Sequence, residues 1–120
     1  MQKRQVKLLN DIARACKAIQ QFTAGQTVDG YAADMKTQSA VERQFGIIGE
    51  ALRKLEIEDA ALAHRVSDWH RIIGFRNIVV HGYDSIDDLL VWQTVTDRVP
   101  ILVVEVQQLL AEMEGSKPTS

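Results

Sequence analysis

Three residues have the types and spacing to carry chemistry: Arg76, His81 and Tyr83. They stand in the run Arg76-Asn77-Ile78-Val79-Val80-His81-Gly82-Tyr83. A guanidinium binds a phosphate oxygen pair through a planar fork of donors. An imidazole, with a reference pKa of about 6.5, exchanges protons near neutral pH. On a helix, at about 100° per residue, Arg76 and Tyr83 share nearly one face and His81 lies roughly 140° round. If Gly82 ends that helix, His81 occupies its last turn, where the carbonyl end of the dipole favours the protonated ring.

Spacing alone does not single out this pair. Eight arginines and three histidines in 120 residues give roughly a one-in-five chance of an Arg–His pair at a fixed separation. Arg65 and His70 show the same spacing. Charge adds a second signal. Residues 64–81 hold all three histidines, three arginines and a single acid, Asp68, whereas residues 82–120 hold seven acids against Arg98 and Lys117. A local basic segment points to an anionic ligand, although charge also scatters unevenly in short chains. The formal net charge of −2 excludes a protein that grips nucleic acid by bulk positive charge. One cysteine excludes a disulfide framework and a multi-cysteine zinc site. Cys16 falls on an apolar stripe and reads as an inert core residue.

The elements that must position these residues are helical. Val6, Leu9, Ile12, Cys16, Ile19 and Phe22 recur at steps of three and four, and Gly25 follows as a stop. Residues 25–33 read as a loop. A second helix from Asp34 or Thr37 to Leu55 carries the stripe Val41, Phe45, Ile48, Leu52 and Leu55. Gly46 and Gly49 lie inside it, which predicts a close approach by another backbone. Residues 56–66 form a polar connection with room for a helical turn. Ser67 or Asp68 can cap a third helix from Trp69 to about His81; its β-branched residues 78–80 also suit a strand, but no partner strand is available. Ser85 can cap a fourth helix with the stripe Leu89, Trp92, Val95 or Thr96 and Val99, kinked or restarted at Pro100. Leu102, Val106, Leu109 and Met113 continue the stripe. The expectation is an all-α, up-and-down bundle of four to five helices forming one domain over 1–114, with a flexible tail at 115–120. No apolar core of signal-peptide length follows the N-terminus, and no stretch is long enough to span a bilayer. No membrane association and a cytoplasmic location are therefore expected.

The wider context chooses between the two Arg–His pairs. The segment from Trp69 to Tyr83 resembles the signature of HepT-like toxins of the HEPN superfamily, Arg-x-x-x-x-His-x-Tyr with a polar residue after the Arg. Thr37 to Arg43 leading into Ile47-Ile-Gly-Glu-Ala51 resembles that family's second helix. Val91-Trp-Gln-Thr-Val95 before Pro100 resembles the helix after the motif. The likeness covers roughly residues 5–112 and leaves Arg65–His70 outside the motif position.

The resemblance implies a homodimer in which the motifs of two chains meet in one cleft. It implies a metal-independent endoribonuclease, needing no cofactor, that serves as the toxin of a type VII-like toxin–antitoxin system. Its partner would be an MntA-like nucleotidyltransferase antitoxin that blocks it by AMPylating Tyr83. RNA can be cut by its own 2′-hydroxyl attacking the neighbouring phosphate, which needs a base, an acid and a cation. A two-fold dimer supplies His81 and Arg76 twice. On this reading Arg76 and His81 are catalytic, Asn77 and Glu50 support them, and no metal ligands are needed. Structural roles stand beside these. Arg76 could pair with Glu50 or an acid of the fourth helix, His81 could cap its helix, and Trp69 and Trp92 read as core or interface. An alternative function is a non-catalytic subunit that holds a nucleotide or RNA for its nucleotidyltransferase. A plain helical dimerisation module would leave the motif idle.

Overall fold

Apolar side chains recurring at helical spacing are buried on one side of each long helix, and that burial holds the bundle together. The computed structural model describes residues 2–81 and 87–115, and the side chains of Gln2, Val80 and His81 lie outside that description. Among the described residues there are seven helices and no strand. Five have ten residues or more, in line with a four- to five-helix bundle.

Helix α1 (Gln2–Thr23) buries Leu9, Ile12, Cys16 and Ile19 completely. Phe22, expected on that stripe, is instead 40% exposed, and Thr23 turns inward, donating its hydroxyl to the Ile19 carbonyl at 2.8 Å. Gly25 follows with φ +77°, the left-handed conformation that ends a helix and that glycine adopts without strain.

Residues 25–33 are not simply a loop. Val28–Ala32 form a short helix, α2, capped by Thr27, whose side chain accepts from the Gly30 amide at 3.1 Å. Tyr31 is its anchor: the ring is fully buried and faces Trp92 at 5.5 Å. Five residues are too few for a readable period, and turn-forming Asp29 and Gly30 mask the helix.

Helix α3 (Met35–Glu58) begins at Asp34, whose carboxylate accepts from the Thr37 amide at 3.1 Å and hydroxyl at 2.7 Å. Its expected stripe Val41, Phe45, Ile48, Leu52 and Leu55 is buried. Asp59 ends α3 and caps the four-residue α4 (Ala60–Ala63). Gln5 donates to Asp59 at 2.7 Å and Arg4 pairs with Glu58, so the start of α1 meets the end of α3 and the two run antiparallel.

Helix α5 (Trp69–His81) resolves the helix-or-strand ambiguity in favour of helix. It packs on α3 through Phe75, which meets Phe45 edge-on at 5.0 Å, and through buried Val79. Asp68 stands at the cap position, its carbonyl accepting from the Ile72 amide at 3.1 Å. Its carboxylate does not cap the helix; it pairs with Arg98 at 2.8 Å. That pair anchors a non-glycine residue held at φ 55°.

Helix α6 (Asp88–Asp97) is capped by Asp87, which accepts from the Leu89 and Leu90 amides. Ser85, the expected cap, lies outside the described residues. The buried positions of α6 are Val91 and Val95, and Leu89 is 52% exposed rather than in the stripe. The helix restarts after Arg98 as α7 (Val99–Gly115), with Pro100 in its first turn, where a missing amide costs nothing. Residues 116–120 lie outside the described residues.

Helix α3 is central to the site: it packs on α1 along one side and on α5 along another, while α7 covers α1.

Candidate functional site

Arg76 lies where α5 crosses α3, and Gly49 is the reason it fits. A Cβ at Gly49 would run into the Arg76 Cβ and lie 2.7 Å from Cγ and 3.0 Å from Cδ. The stem of Arg76 thus occupies the space that any other residue at position 49 would fill. The close approach expected at this glycine is real, but what approaches is the Arg76 side chain.

The Arg76 side chain is 27% exposed and its guanidinium loosely paired. Nη2 lies 3.5 Å from Glu50 Oε1, and Nη1 donates weakly to Asn77 Oδ1 at 3.4 Å. Nε is buried and has no hydrogen-bond partner among the described residues. A guanidinium with five donors and two long contacts retains most of its capacity for an anion. Glu50 is tied chiefly to Arg53, which donates to its carboxylate at 3.1 and 3.3 Å. Those hydrogen bonds, with the added charge of Arg76, hold the Glu50 carboxyl below the usual range. The expected Arg76–Glu50 contact is present, and Arg53 is the competitor that sequence reasoning missed. Its signal was the i,i+3 spacing from Glu50.

Arg76 opens into a groove of 640 Å³ between α1 and α3, lined also by Lys7, Asp11, Glu42, Arg43, Gly46, Glu50, Lys54 and Val79. His81 is the last residue of α5, about 7.5 Å along the axis from Arg76 at 1.5 Å per residue. Its side chain, and all of Gly82 and Tyr83, fall outside the described residues.

The second Arg–His pair has other work. Arg65 makes a bidentate bond to Glu112, both contacts 2.7 Å, fixing the start of α5 to α7. His70 is exposed and touches the edge of Trp69. Trp69 stacks on His64 at 4.2 Å, and Trp69 and Trp92 both pack against the core. Cys16 is buried, and burial pushes its thiol up to about 12. Among the described residues no group of three or more His, Cys, Asp or Glu could hold a metal ion, and no helix is long and apolar enough to cross a membrane.

The family model for HepT-like ribonucleases matches residues 12–109, which spans α1 to α7 and includes Arg76, His81 and Tyr83. The chain belongs to the HepT-like ribonuclease family. The reaction class is therefore endonucleolytic cleavage of RNA. This HepT-like chain is 32% identical to "Putative RNase MJ0127" of Methanocaldococcus jannaschii, over 100% of the chain and 99% of that protein. It is 33% identical to "Probable ribonuclease HepT" of Thermococcus cleftensis, over 84% of the chain and 91% of that protein. No solved structure matches it.

Proposed function

We propose that this HepT-like ribonuclease cuts RNA without a metal, through Arg76 and His81 contributed by two chains of a homodimer. The observation that carries the reading is the seating of Arg76: a largely buried side chain, its stem slotted over Gly49, with most of its donors unspent among the described residues at the mouth of a groove. Such a group is preorganised for a phosphate whose charge grows in the transition state. Glu50 and Asn77 steady it from either side.

The chemistry follows from those residue types. One His81 takes the proton of the 2′-hydroxyl, whose oxygen attacks the adjacent phosphorus. The other His81 gives a proton to the departing 5′-oxygen. The products are a 2′,3′-cyclic phosphate and a free 5′-hydroxyl, and no outside reactant is consumed. One chain carries one motif histidine, so a separate base and acid require a second copy. Ile78, between the motif Arg and His, is 50% exposed, and Leu89 and Leu90 just beyond the motif are also exposed. Exposed apolar side chains within the motif and after it suit a partner chain approaching there.

In the cell this activity fits a toxin restrained by a nucleotidyltransferase antitoxin that transfers AMP to Tyr83. A nucleotide there would add bulk and negative charge to the motif. The test is to incubate the protein with the nucleotidyltransferase and ATP, and then assay RNA cleavage and mass. The reading expects one AMP of added mass per modified chain, lost in Tyr83→Phe, together with loss of cleavage. A modified chain that still cuts RNA at the unmodified rate contradicts it.

A further inference from the structure

The groove that Arg76 opens into continues well past Arg76. On α3, Arg43, Gly46, Ile47, Glu50 and Lys54 follow one face of the helix and line it. Arg43 and Lys54 are about 16 Å apart along the axis at 1.5 Å per residue, with Glu50 and its Arg76 contact between them.

The acids in this groove are mostly engaged. Asp11 is held by Lys7 at 2.8 Å and Arg14 at 2.7 Å. Glu50 is held by Arg53. Glu42 also lines the groove, and burial, then the charge of Asp88, push its carboxyl above the usual range. Arg43 and Lys54 are exposed and, among the described residues, form no ion pair. Two exposed cations without a close ion pair among the described residues therefore flank the Arg76–Glu50 contact along one groove, and the charge of Lys54 also reaches Glu50. A polyanion with regularly repeated charge is the ligand such a row fits, and stretches of single-stranded nucleic acid run in grooves of this kind.

We infer that the α1–α3 groove carries the RNA strand past Arg76, with Arg43 and Lys54 each binding a phosphate on either side of the one that is cut. The inference rests on the ribonuclease reading. Each phosphate neutralised on a single strand contributes about 0.7 to the slope of log affinity against log salt, or roughly fivefold in affinity near 0.1 M salt.

The test measures binding of the full chain to a single-stranded RNA of about 20 nucleotides, 2′-O-methylated so that it cannot be cut. Fluorescence anisotropy is followed across a salt series, and folding is checked by circular dichroism. Arg43→Ala and Lys54→Ala should each weaken binding roughly fivefold and lower the slope by about 0.7. Arg43→Lys should keep the slope, because it keeps the charge. Lys17→Ala, an exposed α1 position outside the groove lining, should change neither. With cleavable RNA of the same length, carrying free 2′-hydroxyls, KM should rise in both alanine variants by more than it does for a dinucleotide. Unaltered slopes in both alanine variants, with RNA still cut, overturn the groove and leave the ribonuclease reading intact. The expected slopes in a protein that cuts nothing support the groove and sink the ribonuclease reading. Weakened binding that tracks a fall in oligomer mass overturns the inference, because the groove is then covered by a second copy.

Discussion

Among the described residues Arg76 donates to nothing closer than 3.4 Å, and its Nε has no partner. Native proteins rarely leave a buried donor unpaired, because doing so costs on the order of 1–3 kcal/mol. Removing the group should therefore harm catalysis far more than stability. Arg76→Ala is expected to lower the single-turnover cleavage rate by about 10²–10³-fold with little change in Tm. Arg76→Lys should recover only part of that loss, because a single ammonium cannot grip two phosphate oxygens in a plane. Near-normal cleavage by Arg76→Ala would contradict the assignment. Glu42 offers a pH test. Its carboxyl is pushed up by burial and by Asp88, so its folded pKa exceeds the unfolded value of about 4.3. Between those two values the folded state holds more protons, and stability falls as pH rises through the window. Glu42→Gln, which cannot ionise, should raise Tm near pH 7, and the gain should fade below about pH 4. A gain equal at both pH values would point to packing instead.

At the scale of elements, the α3–α5 crossing is the feature on which the site depends. Gly49→Ala places a methyl group against the Arg76 stem. Overpacking of this kind costs about 1–3 kcal/mol, read by chemical denaturation. Cleavage should fall as well, because relief requires Arg76 or α5 to move. A variant with wild-type stability and rate would show that the crossing has slack. Much of this level was legible in the sequence. The stripes of α1 and α3 are long enough to show a period, and Gly49 flagged a close approach. Two local features were hidden. Tyr31 anchors a five-residue helix too short for periodicity. In α6 the side chain of Asp87 captures the first amides, which buries Val91 and leaves Leu89 exposed. The identity of what approaches Gly49 was also hidden, because spacing along one helix says nothing about which side chain of another will cross it. The Arg76–Glu50 contact was expected and the i,i+3 spacing of Arg53 from Glu50 was there to read, but only the structure shows that Arg53 holds Glu50 more closely than Arg76 does.

At the scale of the whole molecule, the chain measures 53 × 27 × 19 Å, and its thin dimension is about two helix diameters. Two helix layers leave side chains such as Ile78, Leu89, Ile101 and Val104 exposed, and a second copy would cover some of them. The expectation of a dimer rests on the need for two histidines and on resemblance to a family, not on any interface pattern. Sedimentation should report twice the 13.5 kDa of one chain. If both His81 side chains act in one cleft, then refolding wild type with His81→Ala chains should make activity fall as the square of the wild-type fraction. A linear fall would mean that each chain cuts alone. The most direct test of the central claim is RNA cleavage in EDTA by wild type, Arg76→Ala and His81→Ala, each shown to be folded. The account predicts cutting by wild type alone, leaving 2′,3′-cyclic phosphate ends. Wild type that cuts nothing in EDTA, or either variant cutting at the wild-type rate, would contradict it.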